Sequence, residues 1–399
     1  MKETAGPLAD ITVVDLGQIY MAPYATLLMG LAGANVIKVE PRHGEHLRAR
    51  GDTRGAGYPF VMLNSNKRGV TLNLKHERGR QLLLDMVQKA DVLVENFAPG
   101  VMDRLGVGAT VLMELNPRLV YASGSGYGLS GPYRDYPAMD LTVQAMAGIM
   151  ATTGFPDGPP VKAGPAIADF MGGIHLFGGI LTALYEREKT GRGQLVETAM
   201  FDSVFPTLAS SLGLLFGSGG ELAPRTGNRH SGLSEAPYNV YPTRDGHIAL
   251  ICVSDPHWQA LLAAMGREDL ATEERFETIG RRSANIDEVD ALVSGWTSGF
   301  ATADLWEILR ERRVPAAPVR GLKEVVADRH LRERGMLQDI DHSELGRVTV
   351  PHSPFRLSEH PITVPRPAPR LGQHNDEVFG AWLGVSDEEL SHLKEEAVI

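Results

Sequence analysis

The sequence predicts an α/β protein, with a parallel, doubly wound sheet in the first part of the chain and a smaller α+β domain after it. Strand-like and helix-like segments alternate as far as about Ser123, which is typical of parallel sheets. An Asp245-Gly246 turn between two strand-like segments then predicts a β-hairpin. From about residue 330, a proline-rich strand segment leads into a last helix near 387–395.

Each predicted strand of the sheet is an apolar or β-branched run, and the segments between the strands have the spacing of helices. The predicted strands are 11–16, 35–40, 70–74, 91–96 and 119–123. The predicted helices are 23–31, 77–90, 101–105 and 111–115, with a largely apolar helix from about 202 to 222. Parallel sheets bind ligands beyond the carboxyl ends of their strands. Two polar segments, 96–100 and 124–128, follow strands in this way.

Composition and charge exclude several classes of protein. The hydrophobic content is 43% and the formal net charge is −10, which argues against nucleic acid as the main partner. No apolar run looks long enough to span a bilayer, and the first residues lack the apolar core of a signal peptide. Cys252 is the single cysteine and lies in an apolar stretch, so we expect it to be buried. These features predict a cytoplasmic enzyme.

Several common motifs are missing from the sequence. The turn after the first strand has no G-x-G-x-x-G pattern, so a dinucleotide cofactor is not indicated. The histidines show no H-x-x-x-H spacing and there is no pair of cysteines, which argues against a zinc site. No G-x-S-x-G elbow occurs, so an α/β-hydrolase triad is not supported.

Asp169 is the most informative single residue. It lies between two glycine-bearing stretches and its neighbours are small or apolar. A carboxylate in such a setting can be a nucleophile, because few hydration partners compete for its lone pairs. An aspartate before an apolar helix is also a common N-cap, and its immediate surroundings favour that second interpretation.

Basic residues collect in the same first part of the chain. The segment 64–69 reads Asn-Ser-Asn-Lys-Arg-Gly, and Lys38, Arg42, Lys75 and Arg104 add further positive charge. On an acidic protein, such a set could hold a phosphorylated ligand. A solvated surface loop is the alternative, and for any single lysine or arginine it is the better interpretation.

Taken together, the motifs resemble those of the family III CoA-transferases, which include formyl-CoA:oxalate and carnitine CoA-transferases. The resemblance covers essentially the whole chain, and the order and spacing of the motifs make it specific. The matching segments are VDL at 14–16, LAGANVIKVE at 31–40, NKRGVTLNLK at 66–75, ADVLVENF at 90–97, GYG at 126–128, GPY at 131–133, KTGRGQ at 189–194 and LGQH at 371–374. Asp169 then falls where the family has its catalytic aspartate, which favours the nucleophile, and it could still cap its helix as well.

The resemblance implies a fold and a domain plan. It implies an intertwined homodimer of ring-like chains, each with a large Rossmann-like CoA-binding domain at 1–200 and a linker helix at 201–225. A small α+β domain at 226–325 and a C-terminal segment at 326–399, which returns to the large domain, complete the chain. No cofactor is bound permanently; a coenzyme A thioester is the substrate and a small carboxylic acid is the acceptor, without nucleic acid or membrane as partner.

The resemblance also implies the residues of the site. Asp169 would attack the thioester carbonyl and carry the acyl group, and then CoA, in covalent form. Residues implied to bind CoA are Gln18, Lys38, Arg42, Leu72, Lys75, Asn96, Phe97, Arg104 and Met200. Residues implied to lie near the substrates or in the loop over the site are Tyr127, Met139, Asp140, Gly232 and Glu235.

Two alternatives to transfer remain at this point. The α-methylacyl-CoA racemases share the fold and carry a Gly-His-Asp motif, but this chain has Ala138, Met139 and Asp140 there, and methionine cannot transfer a proton. A non-catalytic CoA-binding protein is the other alternative, and the presence of Asp169 argues against it. Formyl-CoA transferases also have a run of glycines in the loop where this chain has His-Ser-Gly-Leu-Ser-Glu at 230–235. We therefore expect poor activity with oxalate.

Overall fold

The computed structural model describes residues 6–49, 57–221, 225–360, 362 and 364–399. The chain divides into two compact units. The first contains Met1–Val143, Pro165–Phe205 and Asp328–Ile399, and the second contains Gln144–Gly164 and Pro206–Ala327.

A parallel six-stranded sheet forms the centre of the first unit, so the predicted α/β class is confirmed. Its strands are β1 (Thr12–Asp15), β2 (Asn35–Glu40), β3 (Lys67–Thr71), β4 (Val92–Glu95), β5 (Val120–Ser125) and β6 (Leu195–Ala199). They are arranged in the order β3-β2-β1-β4-β5-β6, so the direction of the chain across the sheet reverses between β1 and β4. Doubly wound sheets bind ligands at such a reversal point.

Helices cover both faces of this sheet. Those that precede residue 205 are α1 (Met21–Leu31), α2 (His46–Ala49), α3 (Tyr58–Asn64), α4 (Glu77–Lys89), α5 (Val101–Arg104), α6 (Ala109–Leu115), α7 (Asp140–Met146), α8 (Ile149–Thr152), α9 (Ile167–Thr190) and α10 (Met200–Val204). Successive strand residues point to opposite faces: Val13 packs with α1 and α9, whereas Val14 packs with α4. Apolar burial on both faces explains the consecutive apolar residues of β1 and β4.

The second unit contains a small antiparallel sheet and a set of helices. Its strands are β7 (Tyr238–Pro242), β8 (His247–Ile251) and β9 (Ala316–Pro318). Its further helices are α11 (Ala209–Gly217), α12 (Asp255–Met265), α13 (Ile279–Ala284), α14 (Ile286–Thr297), α15 (Thr302–Glu311) and α16 (Leu322–Val326). The hairpin around Asp245-Gly246 has formed as predicted. Cys252 is fully buried in this unit's core, and burial raises the pKa of its thiol to about 12.

The last part of the chain belongs to the first unit. It contains α17 (Arg329–Glu333), the antiparallel pair β10 (Leu337–His342) and β11 (Gly346–Pro351), a π-helical turn (Asp376–Trp382) and α18 (Asp387–Glu395). Leu393 and Val398 pack in the same core as β1 and α4. The excursion Gln144–Gly164, in contrast, clusters with the second unit, although it lies within the large domain predicted at 1–200. Arg225 donates to the carbonyl of Gly158 (3.0 Å) and so ties this excursion to the second unit.

Some predicted elements differ from the structure. The strand predicted at 70–74 begins at Lys67, because Lys67 and its neighbours pair in register with β2. The apolar helix predicted from 202 to 222 is broken into α10, a 3-10 turn (Phe205–Leu208) and α11, and residues 222–224 lie outside the described part of the chain. Pro206 explains the break, because proline lacks the N–H that a continuous helix needs.

Two helical stretches have the length and apolar composition to cross a membrane, contrary to the sequence expectation. They are Ile167–Thr190 and Met200–Gly217. Half of the most apolar window of the first is buried inside the protein, as in a core helix, but only 17% of that of the second is buried.

Candidate active site

The site residues predicted near the first strand lie at the carboxyl edge of the sheet, where the chain direction reverses. Gln18 follows β1 and Asn96 follows β4. The N–H of Gln18 donates to Oδ1 of Asn96 (2.7 Å), and Nδ2 of Asn96 donates to the carbonyl of Gln18 (2.9 Å). The two residues therefore fix each other across the reversal point. Phe97 follows directly, half-buried, and its N–H donates to Oε2 of Glu95 (2.8 Å).

The basic residues of the sequence separate into a buried and an exposed group. Lys38 is fully buried; its Nζ donates to the carbonyl of Gly17 and lies 3.6 Å from Oε1 of Glu45. Lys67, also buried, lies 2.9 Å from Oδ2 of Asp15. The expectation that Lys38 binds a ligand phosphate does not fit this geometry, because its ammonium group is enclosed by protein.

The exposed group consists of Arg42, Lys75 and Arg104. None of their side chains makes an ion pair with another residue in the described ranges. Guanidinium and ammonium groups that are open to solvent are suited to bind phosphate. Leu72, which was predicted beside them, is 2% exposed and belongs to the core between β3 and α4.

Asp169 lies in the first turn of the long helix α9 and is 7% exposed. The idea that it caps this helix is wrong, because the helix begins at Ile167 and Asp169 is its third residue. The capping carboxylate belongs to Asp140, whose Oδ1 accepts hydrogen bonds from the N–H of Ala168 (2.8 Å) and of Asp169 (3.3 Å). Asp140 thereby supplies the acceptor that the first N–H groups of the helix need.

Two glycines allow the Asp169 turn to approach its neighbours closely. A β-carbon on Gly172 would lie 2.9 Å from Cε of Met21 and 3.2 Å from Cγ of Met200, and one on Gly173 would lie 2.6 Å from the carbonyl oxygen of Met21. Residues three and four positions apart share a helix face. Asp169 thus lies on the face that contacts the start of α1, directly after the turn that carries Gln18.

Tyr127 and Met139 occupy a more open part of the first unit. The Tyr127 ring lies 5.9 Å from that of Phe201 and 6.0 Å from that of Tyr133, in an aromatic cluster. The side chain of Met139 is 62% exposed. This cluster follows β5 and precedes the Asp140 cap.

Gly232 and Glu235 lie in the second unit, in a half-buried loop. Arg229 anchors the loop to α14, with its Nε 2.7 Å from Oδ2 of Asp290. Gly232 also lines a cavity of about 570 Å³ together with His230, whose Nδ1 lies 3.1 Å from Oγ of Ser234.

Sequence reasoning missed two features of the site. The first is the helix cap by Asp140, which comes from a separate helix 28 residues earlier in the chain. The second is the buried partnership of Asp15 with Lys67, 52 residues apart. The only local signal of the second was an aspartate at the end of an apolar strand and two residues before a glycine, a spacing typical of an Asx turn. Among the described residues, no group of three or more His, Cys, Asp or Glu side chains is placed to hold a metal ion.

Comparison with known proteins decides the family. The model of CoA-transferase family III matches residues 8–375. The chain belongs to this family. It is 37% identical to a formyl-CoA:oxalate CoA-transferase of Streptomyces coelicolor, over 99% of this chain and 100% of that protein. It is 38% identical to a succinyl-CoA:mesaconate CoA-transferase of Haloarcula marismortui, over 94% of this chain and 96% of that protein.

A solved structure and a further sequence relative support the same family for this CoA-transferase. A CAIB/BAIF family protein from Brucella suis superposes with a TM-score of 0.83 and 33% identity, over 95% of this chain and 100% of that one. An acetyl-CoA:oxalate CoA-transferase of Acetobacter aceti is 38% identical over 92% of this chain and 94% of its own length. The enzyme class expected from the motifs is therefore confirmed.

Proposed function

We propose that this enzyme moves CoA from an acyl-CoA thioester to a small carboxylic acid through covalent intermediates on Asp169. The observation that carries the proposal is the placement of Asp169: it is nearly buried, in a helix turn capped by another residue. Because Asp140 accepts hydrogen bonds from the first N–H groups of the helix, Asp169 is not needed as the cap. A poorly hydrated carboxylate is a competent nucleophile.

The reaction proceeds by exchange at carbonyl carbons. Asp169 attacks the thioester carbonyl, the C–S bond breaks, and CoA leaves as a thiolate, so that a mixed anhydride remains. The thiolate then attacks the Asp169 carbonyl, releases the donor acid as a carboxylate and leaves an aspartyl-CoA thioester. The acceptor carboxylate repeats both exchanges in reverse order and leaves as its CoA thioester. Two covalent stages divide one poor displacement into easier steps.

CoA is proposed to bind at the carboxyl edge of the sheet. The exposed cations Arg42, Lys75 and Arg104 would hold its phosphates, while the locked pair of Gln18 and Asn96 would lie beside the pantetheine arm. Phe97 would supply apolar contact, and Met200, packed against Gly172, would line the acyl end.

The acceptor site is proposed to include Tyr127, Met139 and Asp140. Gly232 is proposed to offer a backbone N–H to the oxyanions. Glu235 would select among acceptors by its charge. The relatives act on oxalate, mesaconate or malate, which supports a small carboxylic acid as the acceptor class.

The working form is proposed to be an intertwined homodimer in the cytoplasm. Large apolar side chains are exposed on the single chain, among them Phe216 (79%) and Leu215 (50%) of α11. A second copy would cover such a surface. Sedimentation of the detergent-free protein should show a dimer; a monomer, or a protein that partitions into vesicles, would contradict this part of the proposal.

A donor-by-acceptor screen tests the transfer itself. Formyl-, acetyl- and succinyl-CoA would each be incubated with oxalate, mesaconate, malate and monocarboxylic acids, and the thioester products identified by mass spectrometry. We expect CoA to pass to at least one acid, with free acid released from the donor in equal amount. Hydrolysis without any new thioester, or binding without reaction, would contradict the proposal.

A further inference from the structure

A buried polar network encloses the turn that links β1 to α1. Its charged members are Asp15, Lys38, Glu45 and Lys67, and each has a side chain no more than 1% exposed. The groups come from β1, β2, the segment before α2 and β3. Four buried charged side chains thus surround one short turn at the reversal point of the sheet.

The network fixes the backbone of three successive residues. The N–H of Gly17 donates to Oδ1 of Asp15 (2.8 Å), and the carbonyl oxygen of Gly17 accepts a hydrogen bond from Nζ of Lys38. Gln18 is held by the side chain of Asn96. The N–H of Ile19 donates to Oε2 of Glu45 (3.1 Å). Ile19 has a φ of +63°, which is unusual for a β-branched residue and persists only where the surroundings impose it.

Lys67 connects the same network to the start of α1. Its Nζ donates to Oδ2 of Asp15 (2.9 Å), to Oδ1 of Asn64 (2.9 Å) and to the carbonyl of Pro23 (3.1 Å). The hydroxyl of Thr26 also donates to Oδ2 of Asp15 (2.8 Å). The first turn of α1 is therefore tied to the end of β1, and this turn carries Met21, which contacts the Asp169 turn.

Folding stability alone does not account for such a network. Removing charges from water is costly, and replacing a buried ion pair by apolar groups often leaves stability unchanged or raises it. Burial lowers the pKa of Lys67 to about 8, against the opposing effect of Asp15, so burying the protonated lysine costs folding free energy at neutral pH. Despite its burial, Asp15 has its pKa held below the usual value by Lys67 and Lys38, which offsets part of that cost. The network must be explained by the geometry that it imposes.

We propose that Asp15 and Lys67 are positioning residues, which hold the 17–20 turn and the start of α1 in the arrangement that aligns bound thioester with Asp169. They touch no substrate. This inference rests on the proposed function, since it takes the turn to be part of the CoA site.

The test replaces the pair by neutral groups of similar shape, Asp15→Asn together with Lys67→Met. The amide oxygen can still accept from Gly17, so the fold is retained, but the tie to Pro23 is lost. We expect kcat to fall about a hundredfold, as misplacement by about 1 Å does, while KM for acyl-CoA changes less than about threefold because the exposed cations remain. A thermal unfolding midpoint equal to or above that of the wild type is expected in parallel.

The control is the ion pair of Arg187 and Asp91, whose atoms lie 3.0 Å apart at the other end of α9, with Arg187 buried and Asp91 partly exposed. Arg187→Met with Asp91→Asn removes an arginine–aspartate ion pair at the amino edge of the sheet. It should leave kcat unchanged. If this control lowers kcat equally, or if the Asp15 and Lys67 variant keeps wild-type kcat, the positioning role is wrong.

A milder variant covers the case in which the double substitution fails to fold. Thr26→Val removes one hydrogen bond to Asp15 and should lower kcat several-fold, whereas Thr297→Val, a buried threonine of the second unit that donates to the carbonyl of Pro242 (2.8 Å), should not. Equal kcat in both valine variants and the wild type would overturn the inference.

The pH profile gives an independent reading. The charged groups facing Lys67 are Asp15, Lys38 and Glu45. Since the folded-state pKa is about 8, Lys67 loses its proton as the pH rises through that value, and the ratio of wild-type kcat to that of the neutral pair variant should decline there. A ratio constant from pH 6.5 to 9.5 would contradict this coupling. Wild-type activity in Asp169→Ala would instead contradict the proposed function, and this outcome is distinct from a failure of the positioning role of Asp15 and Lys67.

Discussion

The two compact units differ in how firmly they hold their candidate functional groups. In the first unit, Asp169 is nearly buried, its helix is capped by Asp140, and glycines bring its turn against α1. In the second unit, Gly232 and Glu235 lie in a half-buried loop, and α11 exposes Phe216 and Leu215. Covalent chemistry requires preorganised groups, whereas recognition of variable substrates is commonly carried by loops on a rigid scaffold. We infer that chemistry belongs to the first unit and acceptor choice to the second.

The largest expected effect is at Asp169. Asp169→Ala should lower kcat by about 10⁴-fold or more, because no other group replaces the covalent nucleophile. The fold should survive with a change of about 1 kcal/mol or less, since Asp140 and not Asp169 caps the helix. The measurement is initial rate and thermal unfolding, with the exposed Asp10→Ala as the control. A variant that turns over at the wild-type rate would show that the first unit does not supply the nucleophile.

The next effect concerns the exposed cations of the first unit. Arg42→Ala, Lys75→Ala and Arg104→Ala should each raise KM for acyl-CoA by about tenfold, or about 1.4 kcal/mol, with kcat little changed. The loss should shrink at high salt, because exposed charges are screened. Lys189→Ala, an exposed cation near the end of α9, is the control. Equal KM values for all four variants would place the phosphates elsewhere.

A smaller effect is expected from the second unit. Glu235→Gln should change the relative kcat/KM for oxalate, a longer dicarboxylate and a hydroxy acid by roughly fivefold, since one partly exposed charge contributes about 1 kcal/mol. KM for the donor should not change. The exposed Glu268→Gln serves as the comparison. If the wild type, Glu235→Gln and Glu268→Gln show the same relative kcat/KM for the three acceptors, Glu235 does not select the acceptor.

The last prediction is that the enzyme does not exchange the α-proton of an acyl-CoA. Met139 stands where the racemases carry histidine, so a chiral 2-methylacyl-CoA in deuterated water should keep both its proton and its optical activity. Mass spectrometry and chiral chromatography check this. Rapid deuterium uptake would assign the first unit to proton transfer instead of acyl transfer.

Sequence reasoning was most successful where the signal is local. The last helix has the predicted bounds, Asp387–Glu395, because a serine N-cap and acidic first turn mark its start. The hairpin at Asp245-Gly246 follows from turn chemistry alone. The Asp15 and Lys67 pair could not be predicted in this way, because its members lie on different strands and meet only after the sheet forms. The burial of Lys38 could not be predicted either, because it also depends on tertiary packing. For this reason the sequence predicted Lys38 as a phosphate ligand.

Attachment of an acyl group to Asp169 can be detected by trapping the covalent intermediate. The wild-type enzyme would be incubated with acyl-CoA and hydroxylamine, digested, and its peptides sequenced by mass spectrometry. We expect a hydroxamate on Asp169 that forms only when the thioester is present. A fully active enzyme that shows no modification, or one modified at another carboxylate, would contradict it.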